Sequence, residues 1–407
     1  MVRQKTKTLL LISYFFPPIQ SPESTLALNS IKYLSYFGWN VIVLSAKRSK
    51  TNSMDLSALS GIPNLTSVYR THSIENIILR GLSYFKILPD EKVGWIPFAV
   101  RKGKTILKEG NINVIISRST PATSHLVALK LKSLTKLPWI ACFSDPWTQN
   151  PYISYSNKII KKFDEHLERK VVLTADKIVV TTSQTKDLFA EKYKIEDKIE
   201  VIPNSYDPSE FPEKKINKLK NDKFTITYVG NFYGIRSPEP FFKALKLLNE
   251  EEDISAKIGV KLIGYIGKKF RHLVSEYKLE NVVRLIDTVS RKDAFRHIFD
   301  SDILLLIDAP SKKESIFLPL KLIEYINTEK PILAITPKGA SADVIRLTKT
   351  GVAVLPEDIT GIKNAIKDYY GLYRSSKLKI KPNWPEIEKY SAKNYVKKLI
   401  DVIEELV

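Results

Sequence analysis

The sequence predicts an α/β protein of two domains, each built on a parallel sheet, and three observations carry that expectation. At 407 residues the chain is long enough for two domains of ordinary size, and 43% hydrophobic residues allow a sizeable core in each. Short apolar strands alternate with helical stretches along the chain, as in βαβ units. A polar, lysine-rich stretch without an apolar period, residues 211–223, divides the run and reads as a linker.

The elements follow in order. The chain begins TLLLISYFFPPI, then STLALNSIKYLSYFGWN, then VIVLSAK: strand, loop, helix, strand. Leu26, Ile31, Leu34 and Phe37 keep roughly helical spacing, and Gly38 fits a helix stop. VRQKTK before TLLLISYFF imitates a short signal peptide, but the run ends in Pro17-Pro18 with no small-residue cleavage site. It is also too short to span a bilayer, so a buried first strand is expected. Residues 50–90 are weakly patterned and are expected to cover the sheet edge. Strands at 113–120 and 139–144 flank a helix carrying Leu126, Leu129 and Leu131. A basic amphipathic helix, 157–173, leads to a strand within 175–184 and to the last strand of the first domain, within 198–211. The second domain opens with a strand at 224–230, a loop at 231–239 and a helix at 241–251. Further strands follow at 260–267, 282–290, 303–308, 332–335 and from Gly351, and residues 391–407 form a final amphipathic helix.

The net charge is +20 and uneven: residues 1–200 hold 29 basic residues against 16 acidic ones. Such a balance attracts phosphate-rich partners: an anionic membrane face, a lipid pyrophosphate or a nucleic acid. The aromatic residues are not interleaved with the basic ones as in a nucleic-acid module, so no nucleic-acid partner is expected. Trp95 to Phe98 directly precede Arg101, Lys102, Lys104 and Lys108. This suits a peripheral anchor, with Trp95 and Phe98 in the interface and four cations at anionic headgroups. The alternative is a core aromatic cluster beside a solvated basic helix face. A single cysteine, Cys142, excludes an internal disulfide and a Cys-based zinc site, and fits a reducing cytoplasm.

Chemistry concentrates in residues 316–335, IFLPLKLIEYINTEKPILAI. Pro319 suits the first turn of a helix. Lys321 and Glu324, three positions apart, then share a face near the helix start. That place lies outside the carboxyl end of the strand at 303–308, where ligands sit in open α/β sheets. An acid and a base there suit the hydroxyls and phosphate of a ligand, and equally suit an ordinary surface ion pair. Asp145 stands at the carboxyl end of its own strand, although Asp-Pro is also a common turn. After Gly230, the loop offers Arg236, which can grip a phosphate with two nitrogens. Asp300-Ser301-Asp302 has the shape of a metal-binding Asp-x-Asp, but Asp302 immediately precedes a buried strand, so a structural role and no metal are expected.

The phrase Pro319-x-Lys321-x-x-Glu324-Tyr325, followed by Lys330-Pro331-Ile332-Leu333, resembles the donor-binding signature of family 4 glycosyltransferases. Tyr14-x-Phe16-Pro17-Pro18, Asp145-Pro146-Trp147-Thr148 and Pro203-Asn204 with Asp207 are similar to further blocks of that family, so the resemblance covers nearly the whole chain. It implies the GT-B fold: Rossmann-like domains at 1–210 and 224–385 facing a central cleft, with 386–407 packing back on the first. It implies retaining, metal-independent transfer of a sugar from a nucleoside-diphosphate sugar, with no cofactor, to a lipid-linked or polysaccharide acceptor. Cell-surface glycan synthesis at the cytoplasmic face of the inner membrane would follow. By this resemblance Glu324 holds the ribose, Arg236 and Lys321 the diphosphate, and Gly230, Asn231 and Pro319 line the donor site, with Val289 near the base. Asp145 faces the reacting sugar, with Ser21, Ser119 and Trp147 on the acceptor side. The sequence departs from the family where Ile19 to Glu23 replace a glycine pair, and where Ile316 replaces the first acid of a longer motif. Two other readings are an epimerase of the same fold, and a non-catalytic protein that binds membranes or nucleic acid.

Overall fold

A computed structural model of the chain describes residues 7–47, 53–211, 223–232, 235–254, 256–311 and 313–407. The expected linker at 211–223 therefore lies almost wholly outside the described residues. The chain forms two compact units, Met1–Ser205 with Ala392–Val407, and Tyr206–Ser391.

In chain order, the first unit contains β1 (Thr8–Ser13), α1 (Pro22–Tyr36), β2 (Asn40–Ala46), β3 (Ser67–Thr71), α2 (Ile77–Tyr84) and α3 (Ile96–Glu109). It continues with β4 (Val114–Ser119), α4 (Thr123–Lys132), β5 (Trp139–Phe143), α5 (Lys158–Thr174), β6 (Lys177–Val180), α6 (Ser183–Tyr193) and β7 (Ile199–Val201). The strands pair in parallel in the order β3-β2-β1-β4-β5-β6-β7. Side chains alternate across a strand, so β1 serves two cores. Leu10 and Ile12 join one with Trp95 and Trp139, while Leu9 and Leu11 join the other with Leu28 and Ile31. The second core is completed by the terminal helix, Ala392–Glu404, through Tyr395, Val396, Leu399, Val402 and Ile403. At the start of α1, Ser21 caps the helix, its Oγ accepting the Ser24 N–H at 3.0 Å. The weakly patterned segment 50–90 supplies the edge strand β3 and then α2.

The second unit contains β8 (Phe224–Val229), α7 (Glu239–Glu251), β9 (Ile258–Ile263), α8 (Lys268–Glu276), β10 (Val283–Ile286), α9 (Arg291–Phe299) and β11 (Ile303–Ile307). Then come α10 (Leu320–Tyr325), β12 (Ile332–Ile335), α11 (Ala340–Thr348), β13 (Gly351–Val354), α12 (Ile359–Arg374) and α13 (Trp384–Glu388). The parallel order is β10-β9-β8-β11-β12-β13. Ile303, Leu305 and Ile307 of β11 face one core, Leu304 and Leu306 the other. Pro319, expected in the first turn of α10, is its N-cap with extended backbone. Residues 206–210 and 386–391 fall in this unit rather than with the first domain and the terminal helix. Tyr206 and Ile387 share a core with Leu322 and Ile323, and the Tyr206 N–H donates to Tyr390 O at 3.0 Å.

β13 depends on a close backbone approach. A Cβ on Gly351 would lie 2.0 Å from the Ile332 carbonyl oxygen of β12. Gly351→Ala is therefore expected to lower stability by on the order of 1–3 kcal/mol, read as a lower urea midpoint. An unchanged midpoint would show that β13 moves aside without penalty.

Candidate functional site

In the second unit the carboxyl ends of β8, β9 and β11 meet the start of α10. A buried hydrogen bond sets the geometry, because the Val229 N–H at the end of β8 donates to the Tyr325 hydroxyl at 2.9 Å. This draws the next residue, Gly230, against Lys321. Gly230 has φ 144° and a Cβ there would lie 2.1 Å from Lys321 Nζ, so only glycine leaves room for the ammonium. Lys321 Nζ donates to the Tyr228 hydroxyl at 2.8 Å and lies 4.0 Å from the centroid of that ring. Arg236 is 5% exposed, with Nη2 3.7 Å from Asp308 Oδ1. Asp308 also accepts from Thr336 Oγ1 at 3.1 Å. Burial lowers the pKa of Lys321 well below that of an ordinary lysine, and the neighbouring Arg236 lowers it further, against the pull of Asp308 and Glu324. Lys321 and Arg236, crowded together at Gly230, make a place where an anion relieves repulsion.

Glu324 is 8% exposed, and its Oε1 lies 2.8 Å from Arg291 Nη2. Arg291 Nε donates in turn to Glu210 Oε2 at 3.0 Å. Burial raises the Glu324 pKa while Arg291 opposes the rise. The surface ion-pair reading of Lys321 and Glu324 is replaced by separate partners, Tyr228 for the lysine and Arg291 for the acid. Asn231 Oδ1 accepts the Tyr265 N–H at 2.8 Å, tying the loops after β8 and β9 together. Val289 is half-buried after β10, and Pro319 half-buried at the start of α10. At the amino end of β8, Asp302 Oδ2 accepts the Thr225 N–H at 2.9 Å, and Asp300 pairs with Lys261 at 3.0 Å. Both acids thus belong to the far end of the sheet from Gly230.

In the first unit, Asp145 follows β5 and is half-buried. The residues after it turn inward. Trp147 is 6% exposed and its Nε1 donates to Asp164 of α5 at 2.9 Å, while the Thr148 N–H donates to Glu168 at 3.1 Å. Lys192 of α6 donates to the same Glu168 at 2.9 Å. Trp147, expected on the acceptor side, is therefore an anchor that fixes the loop bearing Asp145. Ser21 is engaged as the cap of α1, and Ser119 is buried at the end of β4.

Sequence reasoning passed over a charged pair beside Asp145. Glu23, in the first turn of α1, lies with Oε2 3.5 Å from Arg118 Nε, and both residues are buried. Arg118 Nη1 donates to the Tyr395 hydroxyl of the terminal helix at 2.7 Å. Arg118 and Tyr395 line a small pocket with Cys142, Ser144, Thr181 and Asn204. Burial pushes the Glu23 carboxyl up to about 7, Arg118 opposing and Asp145 adding to the rise. The signal was present: an acid in the first turn of the helix after β1, and an arginine between two serines at the end of the strand VIISRS.

The expected membrane anchor is corrected in part. Trp95 is fully buried, its Nε1 donating to Thr71 Oγ1 at 2.7 Å, because an indole N–H inside a core needs an acceptor. Trp95 is thus a core residue and does not enter an interface. Phe98 is half-buried, edge-on to His72 at 5.1 Å, and Lys102 lies 4.3 Å from the centroid of Tyr69. Arg101, Lys104 and Lys108 are exposed. Among the described residues no helix is long and apolar enough to cross a membrane.

The elevated Glu23 pKa makes stability depend on pH. Its carboxyl takes up a proton near pH 7 when folded, against an ordinary value of 4.5. The folded state therefore binds more protons than the unfolded one between those values, and stability falls as pH rises through that window. Compared with Glu23→Gln, the parent is expected to lose about 3 kcal/mol across that window. Denaturant unfolding of both proteins from acid to neutral pH checks this, and parallel curves would reject it.

Comparison with known proteins follows the same lines. Residues 24–210 match the model of Glycosyltransferase Family 4, and residues 209–378 that of Glycosyl transferases group 1. An uncharacterized glycosyltransferase of Haemophilus influenzae is 25% identical over 189 residues, 46% of this chain and 49% of that protein, so the chain spans about half the length of this curated relative. Among solved structures, sucrose-phosphate synthase from Thermosynechococcus elongatus has a TM-score of 0.75 at 15% identity, covering 98% of this chain and 99% of that one. HepE of Anabaena, solved in complex with UDP-glucose, has a TM-score of 0.68 at 13% identity, covering 98% and 100%. With its two parallel-sheet units and consecutive family models, the chain belongs to the family 4 glycosyltransferases of the GT-B fold.

Proposed function

We propose that the protein moves a hexose from a nucleoside-diphosphate sugar to a lipid-linked or polysaccharide acceptor in cell-surface glycan synthesis, with retention of configuration. The observation that carries this reading is the crowding of Lys321 and Arg236 at Gly230, whose missing side chain leaves room for the lysine. A diphosphate there adds counter-charge where Asp308 and Glu324 do not offset the burial of Lys321 and the repulsion from Arg236, and stabilising the departing diphosphate is the main electrostatic contribution to the transfer. The two cations take the place of a divalent metal, and no other cofactor enters. Glu324, held in orientation by Arg291, receives the ribose hydroxyls, with Asn231 and Pro319 beside the nucleotide and Val289 near the base. The complex of HepE with UDP-glucose supports a donor of this class. Asp145, on its anchored loop, faces the sugar and acceptor, with Ser21 and Ser119 near. The work is done in the cytoplasm at an anionic membrane face, where a lipid pyrophosphate is held.

Thermal shift with UDP, GDP and ADP identifies the base, since a ligand at 100 times its Kd stabilises by about 2.7 kcal/mol. With the matching sugar donor and EDTA present, the parent is expected to transfer and Glu324→Ala to lose transfer while remaining folded. Losing a charged hydrogen bond to the donor weakens binding by on the order of 1.5–3 kcal/mol. Undiminished turnover in the variant removes Glu324 from the site, and transfer that needs added Mg²⁺ removes the metal-free mechanism.

Arg236→Ala and Lys321→Ala should each weaken binding of the nucleoside diphosphate by roughly tenfold or more and leave the nucleoside nearly unaffected. Calorimetry with both ligands tests the assignment; equal losses for the two reject it.

A further inference from the structure

The first unit exposes an apolar face that its cores do not use. No residue of α2 is buried: Ile77 is 80% exposed, Tyr84 81%, and Ile78, Phe85 and Ile87 are also exposed. The start of α5 continues the surface, with Ile159 79% exposed and Phe163 beside it. The two stretches adjoin, since Ser156 Oγ donates to the Phe85 carbonyl at 3.5 Å and the charge of Lys86 reaches Asp164 of α5. An isolated helix of eight residues is marginal in water, and α2 packs on the protein only through half-buried residues such as Leu79 and Leu82, so a surface laid against its exposed side would add to its stability.

The charges around the face identify that partner. Arg80, Lys86, Lys158, Lys161 and Lys162 lie within the same two stretches as the apolar residues; Arg80 pairs with Glu91 and Lys161 with Glu165, which leaves an excess of positive charge there. A second copy of the chain would set these cations against their own kind, in a protein already at +20. An anionic lipid surface answers both features, with isoleucine and aromatic side chains at the headgroup boundary and cations among the phosphates. The placement also fits, because α2 follows the carboxyl end of β3 and α5 follows the Asp145 loop at the carboxyl end of β5. We propose that α2 and the start of α5 form the surface by which the first unit docks on an anionic lipid bilayer, on the sheet edge that carries Asp145. The proposal rests on the membrane-face reading of the function and moves the anchor away from α3, whose neighbour Trp95 is buried.

The test is co-sedimentation of the full chain with phosphatidylcholine vesicles, with and without phosphatidylglycerol. The parent should bind the anionic vesicles and be released by salt. A variant with Ile77→Ser, Ile78→Ser, Phe85→Ser and Ile159→Ser should lose about tenfold or more of that binding, with unchanged circular dichroism. Should it misfold, Lys86→Gln with Lys158→Gln, Lys161→Gln and Lys162→Gln tests the same surface and should lose a comparable amount. Arg101→Gln with Lys104→Gln and Lys108→Gln should bind within about twofold of the parent. If the parent binds and the α2–α5 variants bind equally, this surface is wrong while the membrane-face reading stands. A parent that ignores anionic vesicles overturns both. Sedimentation velocity showing a parent dimer that the first variant dissolves would assign the face to a second copy instead.

Discussion

A charge removed from water has to be answered by an opposite charge or by a hydrogen bond, and the edges of both sheets are arranged around that requirement. In the second unit, Glu324 and Glu210 share Arg291, and Asp308 faces Arg236. In the first, Glu23 faces Arg118, and Glu168 is answered by Lys192. These pairs are poor sources of net stability, since desolvation offsets most of the attraction. What they provide is position. Arg236 and Glu324 reach the edge of their sheet at fixed places because Asp308 and Arg291 hold them there. Lys321 is the exception, leaning on a tyrosine hydroxyl and ring with its charge under strain from Arg236.

The backbone contributes through the same edge. All strands of each sheet run parallel, so every loop that follows a strand emerges on one side. The Tyr325 hydroxyl then joins the end of β8 to α10, and the missing side chain of Gly230 opens the space between them. In the first unit the inward turn of Trp147 and Thr148 holds the Asp145 loop against α5.

Much of this was legible in the sequence, for local reasons. The two-residue alternation of β1 and β11 is written in TLLLIS and ILLLI, and each run faces two cores as that composition requires. Lys321, Glu324 and Asp145 are candidates in the sequence by their place at strand ends. Asp308 obeys the same rule, closing the apolar run of β11, and a consistent application would have found it. The partners were not legible, because they come from far along the chain. Arg291 and Glu210 are 81 positions apart, and Arg118 and Tyr395 are 277 apart. Trp95 was misread for the same reason: the threonine that accepts its indole N–H lies 24 positions earlier, on an edge strand the sequence does not announce. A tryptophan before a basic helix looks like an anchor until its hydrogen-bond partner is known.

The terminal helix has a consequence for how the protein is made. The first unit is assembled from two separate stretches, Met1–Ser205 and Ala392–Val407, whereas the second is one unbroken stretch, Tyr206–Ser391. During synthesis the first sheet emerges early, yet the apolar side of α1 stays open until Tyr395, Val396, Leu399, Val402 and Ile403 arrive. The later-made unit thus has its whole sequence available before the earlier one does. Arg118 likewise waits for the Tyr395 hydroxyl, so the polar pocket at the edge of the first sheet is complete only once Tyr395 is present. A nascent chain cut short by a premature stop near residue 391 would carry an intact second unit and a first unit with its core exposed to chaperones and proteases.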